Sequence, residues 1–106
     1  ELLIIPKEHI DEFCDLSDEI SGKIITLANK LSKNIKLHLK PKRVGLAVHG
    51  FGVPHAHLIV VPLHEPNDIV SSRHAYLENG EIKFSEEHLP ITSRNELNRL
   101  ARLISN

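Results

Sequence analysis

The stretch from Ser17 to Leu39 constrains this chain more than any other. Ile20, Ile24, Leu27, Ala28, Leu31 and Ile35 recur there at three- and four-residue spacing. That is the period of a helix with one apolar stripe. Asp15 or Ser17 can cap its start, and Asp18 and Glu19 place acids in the first turn, where the helix dipole favours them. Lys40-Pro41 ends it, because proline cannot continue a helix and disfavours the helical region for the residue before it. The whole stripe is expected to lie on a sheet. Cutting back Ile24 or Leu27 to alanine should then cost about 2–5 kcal/mol.

The sheet is legible on either side of the helix. Leu2 to Ile5 is a short aliphatic run ended by Pro6 and reads as a buried strand, with Pro6-Lys7-Glu8-His9 as a polar exit loop. Val44 to Val48 reads as a second strand and Ala56 to Val61 as a third, closed by Pro62. Gly50-Phe51-Gly52 lies between these two, which makes an antiparallel hairpin with a tight turn the natural expectation. His64 to Ser72 reads as a polar loop. Asn79-Gly80, between Ala75-Tyr76-Leu77 and Ile82-Lys83-Phe84, signals a short second hairpin. Ser93 opens a last helix with Leu97, Leu100, Ala101 and Ile104 on one face. The order is strand, long helix, paired strands, hairpin, helix. That is an α+β chain with an antiparallel sheet and a long helix packed on it, and residues 1–106 read as a single domain.

Bulk properties exclude several classes of partner. The balance of 41% hydrophobic and 25% charged residues is that of an ordinary globular domain. A formal net charge of −1 gives no general basic field for a nucleic acid, so an anionic ligand would need a local site. No run approaches the roughly 20 apolar residues of a membrane helix, and the opening Glu-Leu-Leu-Ile-Ile lacks the basic leader of a signal peptide. The chain starts abruptly in a strand-like run without an initiator Met and reads as a fragment lacking its natural N-terminus. The single cysteine, Cys14, forms no intrachain disulfide, which fits a reducing, cytoplasmic location; it reads as a small buried apolar residue.

Eight histidines, against one tyrosine and no tryptophan, are the unusual feature of the composition. His55 and His57 lie in Gly52-Val53-Pro54-His55-Ala56-His57-Leu58-Ile59-Val60-Val61-Pro62. On a strand, side chains alternate faces, so His55, His57 and Ile59 would point one way and Ala56, Leu58 and Val60 into the core. The neighbouring glycines let backbone N–H groups approach an anion. Two imidazoles at such a place can attack phosphorus and move protons. They can equally bind a metal, or face solvent with no task. Of the others, His49 could reach a phosphate from the side opposite Ile59, and His64 could join it in an adventitious metal site. His38, His74 and His88 read as surface residues, and Lys42 and Arg43 as a solvated face.

Taken together, Leu3-Ile4-Ile5-Pro6-Lys7-Glu8-His9-Ile10, Asp15-Leu16-Ser17, the long helix, and Val53-Pro54-His55-Ala56-His57-Leu58 with Pro62 closely resemble the histidine-triad (HIT) superfamily. The likeness covers residues 2 to about 62. It implies an α+β fold with an antiparallel sheet, usually a homodimer, and nucleotidyl hydrolase or transferase chemistry. By that likeness His57 matches the middle triad histidine, the nucleophile that forms a covalent nucleotidyl intermediate. His55 matches the first triad histidine, which supports it, and His9 an additional histidine facing the phosphate. Gly52, Val53 and His49 complete the substrate-binding set. No resident cofactor is implied; a divalent cation would come, if at all, with the substrate.

Three positions depart from the family pattern. The third triad histidine is replaced by Ile59, Val48 stands where the family usually has asparagine, and Gly52 where it often has serine or threonine. Ile59 can neither donate a hydrogen bond nor carry charge. Losing one preorganised donor typically costs on the order of 10²–10³ in rate. The family's N-terminal strand and loop, which usually line the nucleobase pocket, are missing, so base specificity is unreadable. The expected activity is hydrolysis or transfer on a nucleotide phosphoramidate or dinucleotide polyphosphate. The rivals are a nucleotide-binding pseudoenzyme and, less favoured, a metal-binding protein using His55 and His57.

Overall fold

A computed structural model describes residues 1–69, 75–84 and 91–105. The elements run β1 (Leu2–Ile4), α1 (Asp18–Leu39), β2 (Arg43–Ala47), β3 (Leu58–Leu63), β4 (Ala75–Glu78), β5 (Glu81–Phe84) and α2 (Arg94–Ser105), with 3-10 turns at Phe13–Asp15 and Pro66–Asp68. This is the α+β architecture read from the sequence. The parts of the expected polar loop beyond Ile69, and His74 and His88, lie outside the described residues.

Helix α1 starts at Ser17, whose Oγ accepts the Ile20 N–H at 3.2 Å; Asp15, the other cap candidate, belongs to the 3-10 turn instead. It stops at Lys40 in the left-handed conformation (φ 49°), directly before Pro41. Its buried residues are Ile24, Ala28 and Ile35, packed with Ile4, Leu16, Ala56, Leu58 and Val60, while Ile20, Leu31 and Leu39 are partly buried around them. Leu27 departs from the expected stripe: it is 43% exposed. At about 100° per residue it sits roughly 60° to one side of Ile24, whereas Ala28 and Ile35 fall within about 40° on the other side. The contact line follows that second side, and the cost expected for Leu27→Ala does not carry over.

The sheet is antiparallel in the order β1-β3-β2. Leu2 pairs with Val60 and Ile4 with Leu58 on one side of β3, and Leu46 pairs with Val60 and Ala47 with Ile59 on the other. Leu58 and Val60 are buried as alternation requires, and Ala56, ahead of the strand, is buried as well. Ile59 lies on the opposite face, beside Leu3 and Ala47. Strand β3 runs later than expected, Leu58–Leu63 rather than Ala56–Val61, and takes in Pro62. Proline is tolerated because β1 pairs only as far as Val60, so position 62 has a ladder neighbour on the β2 side alone. Gly45 on β2 is a place of close approach. A Cβ there would lie 2.7 Å from Cδ1 of Ile69 and 3.0 Å from Cδ1 of Leu63.

Strands β4 and β5 form a separate two-stranded sheet closed by Asn79 (φ 53°) and Gly80 (φ 78°). Two successive positive φ values are what a two-residue primed turn requires. Helix α2 is capped by Ser93, whose Oγ accepts the Glu96 N–H at 3.2 Å. It rests on α1, where Asn34 Nδ2 donates to the Ile104 carbonyl at 2.7 Å. A cleft of about 400 Å³ remains between α2 and the core, lined among others by Leu2, Ile35, Val60, Leu97 and Leu100.

Candidate active site

The two central histidines are not on the strand. Residues 51–55 form a bent loop, and His57 directly precedes β3. The β3 ladder stops short because its next backbone groups are used elsewhere. The Ala56 N–H donates to the Ile10 carbonyl at 2.7 Å, and the His55 N–H to the Val53 carbonyl at 2.8 Å. The histidine segment is thus tied to the loop that joins β1 to α1, so simple strand alternation does not govern His55 and His57.

Three histidines are linked there. His57 is buried, 9% exposed, with Nδ1 2.8 Å from the His55 carbonyl oxygen. A carbonyl only accepts, so Nδ1 carries the proton, and in the neutral ring Nε2 keeps its lone pair. His55 is half-buried, and its Nε2 lies 3.0 Å from the Pro6 carbonyl oxygen, which fixes the opposite tautomer. His9, exposed on the same β1–α1 loop, sets its ring edge-on against that of His55, with centroids 5.2 Å apart. Two neighbouring backbone carbonyls therefore orient two imidazoles, each with one nitrogen committed and one left over.

The remaining sequence candidates are placed differently. His49 is exposed just beyond β2, and its ring contact is with Phe51, centroids 5.5 Å apart. Gly52 and Val53 are exposed in the loop before His55. Ile59 is half-buried within β3. His38 is exposed as expected, and so is His64, whose backbone N–H donates to Asp68. Lys42 and Arg43 are exposed, with Lys42 Nζ 3.5 Å from a Glu65 oxygen.

Cys14 is a correction. It is exposed, on the 3-10 turn, and its Sγ donates to Glu12 at 3.3 Å. That bond to a carboxylate, with Asp15 close by, holds the thiol above its ordinary pKa and keeps it protonated. Among the described residues, Glu12, Cys14 and Asp15 are the group with metal-ligand proximity, and all three are exposed. The histidines form no such group of three among the described residues.

The sequence reading missed the carbonyls of Pro6, Ile10 and His55, which do the orienting. Backbone acceptors leave no side-chain signature; the one available signal was Pro6, which had to turn the chain beside the site. A family model described as the HIT domain matches residues 2–66, more than half of the chain and all of the histidine site. Among the described residues, no helix is long and apolar enough to cross a membrane.

Proposed function

Since this chain belongs to the HIT-domain family, a family of nucleotide-binding hydrolases and transferases, we propose that it hydrolyses or transfers the nucleotidyl group of a phosphoramidate or dinucleotide polyphosphate through a covalent intermediate on His57. One observation carries the reading: the 2.8 Å hydrogen bond from His57 Nδ1 to the His55 carbonyl. It leaves Nε2 as the nucleophile. As Nε2 bonds to phosphorus the ring becomes positive, and its Nδ1–H becomes a stronger donor to a carbonyl already in place. The bond therefore strengthens toward the transition state, which is what accelerates chemistry.

Nε2 of His57 forms a bond to phosphorus while the bond to the leaving amine or phosphate breaks. The leaving group takes a proton from a histidine, a role we assign to His55 or His9, whose ring centroids lie 5.2 Å apart. Water then displaces His57 from phosphorus and returns a proton to that histidine, releasing a nucleoside monophosphate. His49, Gly52 and Val53 are the proposed substrate contacts on the loop before His55. Ile59 supplies no donor, so turnover should be slow for this chemistry.

Ile59 also favours a second reading, a nucleotide-binding pseudoenzyme. The half-exposed apolar groups Leu27 (43%) and Leu46 (40%) support a homodimer, and a lone exposed thiol suits a reducing cytoplasm. Mass spectrometry of the intact protein mixed with an adenosine phosphoramidate tests the choice. A mass gain of one nucleotidyl group is expected. Bound nucleotide without any adduct would make the chain a binding module.

A further inference from the structure

Phe51 is 91% exposed, in the middle of the loop that leads from β2 to the histidine segment. Val48 and Val53, within three residues of it in sequence, are 48% and 52% exposed as well. The ring is not adrift. His49 meets it edge-on, at 5.5 Å between centroids and 61° between planes. Phe51 is also flanked by Gly50 and Gly52, where even a Cβ would find nothing within 4 Å. Flanking side chains that could have covered the ring are absent by sequence, and the space they would occupy is open.

The β2–β3 ladder ends at Ala47↔Ile59. Two residues past Ala47 comes His49, the ring that props Phe51; two residues before Ile59 comes His57. Both leave the sheet at the same end. An aromatic ring held by an edge-on partner, open on its surroundings and at the end of the sheet where His57 lies, suits the face of a planar aromatic group.

We propose that Phe51 is a stacking platform for an aromatic ring of the substrate, and so a specificity-determining residue. This deepens the nucleotidyl-transfer reading and rests on it for the phosphate that brings the ring to the loop. The ring could belong to the nucleobase or to the group attached at phosphorus. Isothermal titration with two ligand pairs separates these sources without requiring turnover. AMP against ribose 5-phosphate probes the base; phenyl phosphate against methyl phosphate probes the group at phosphorus.

The parent protein should favour the aromatic member of one pair by about tenfold or more. Phe51→Ala should erase that preference, Phe51→Trp should keep or raise it, and the non-aromatic member should bind all three within about twofold. Because Phe51 is exposed, the unfolding midpoint of Phe51→Ala should match the parent. Equal binding within both pairs, a preference that survives Phe51→Ala, or an equal loss for all four ligands would each overturn the proposal. An aromatic preference that depends on Phe51, in a protein that forms no nucleotidyl adduct, would uphold the platform and reject the catalytic reading.

Discussion

Among the described residues, every buried apolar side chain of the core lies between Ile4 and Val60, whereas α2, with an apolar stripe of its own, buries none. Leu97 is 41% exposed, Leu100 and Ile104 are half-covered, Ile104 packs at the edge of the core, and a cleft remains beside Leu97, Leu100, Ile35 and Val60. The two helices differ less in pattern than in what they meet. Helix α1 lies on a continuous apolar face made by Ile4, Leu58 and Val60. Helix α2 comes to the margin that α1 has left. A periodic stripe states which face of a helix is apolar; the depth to which it sinks is set by the partner. The family-matched part, residues 2–66, holds both the core and the histidines, and β4, β5 and α2 lie beyond it.

Perturbations of the two regions should separate by size. The largest effect belongs to His57→Ala: the nucleotidyl adduct should fall below detection in an intact mass spectrum, while nucleotide affinity stays within a few-fold. An adduct that persists would move the nucleophile away from the buried segment. Next, Ile35→Ala should cost about 2–5 kcal/mol in urea unfolding, because it empties a site that is 1% exposed. Leu97→Ala in α2 should cost below about 1 kcal/mol. Equal costs would erase the contrast. Ile59→His should then raise phosphoramidate hydrolysis by about 10- to 1000-fold, the range for restoring one transition-state donor. A fast parent that gains nothing would mean that another donor, His49 first, already serves.

The smallest effect should come from α2. Arg99 donates to both carboxylate oxygens of Glu96, at 2.8 and 2.6 Å, and holds that acid below its ordinary pKa. A lowered carboxyl stabilises the fold above its unfolded pKa and loses that contribution as pH falls through the folded one. Both side chains reach solvent, so the change should be slight and screened by salt. Circular dichroism of the parent should lose a little helix signal on acidification below the usual carboxylate range, and Glu96→Gln should lose less over the same span. A larger acid response in Glu96→Gln would place the sensitive carboxylate elsewhere.

Much of this was readable residue by residue. Ser17, Pro41 and the Ile24–Ala28–Ile35 spacing announced α1, and Asn79-Gly80 announced the second hairpin with its two positive φ values. The core face of β3 followed from alternation through Leu58 and Val60. The histidine pair was legible as chemistry but not as geometry. Alternation assumes a ladder, and here the Ala56 N–H left the ladder for Ile10. Leu27 and Cys14 were misplaced for a related reason. Hydrophobic character says what a side chain would gain by burial, while coverage depends on a neighbour arriving from a distant part of the chain.

Gly45 shows how a single absent Cβ can set the terms on which a protein is rewritten. Cδ1 of Ile69 drops into the gap above it, 2.7 Å from where a methyl would stand, and clasps the chain to the sheet just after the family-matched part ends. Any side chain placed at Gly45 would first have to push the Cδ1 methyls of Ile69 and Leu63 aside, at the opposite end of β3 from His55 and His57.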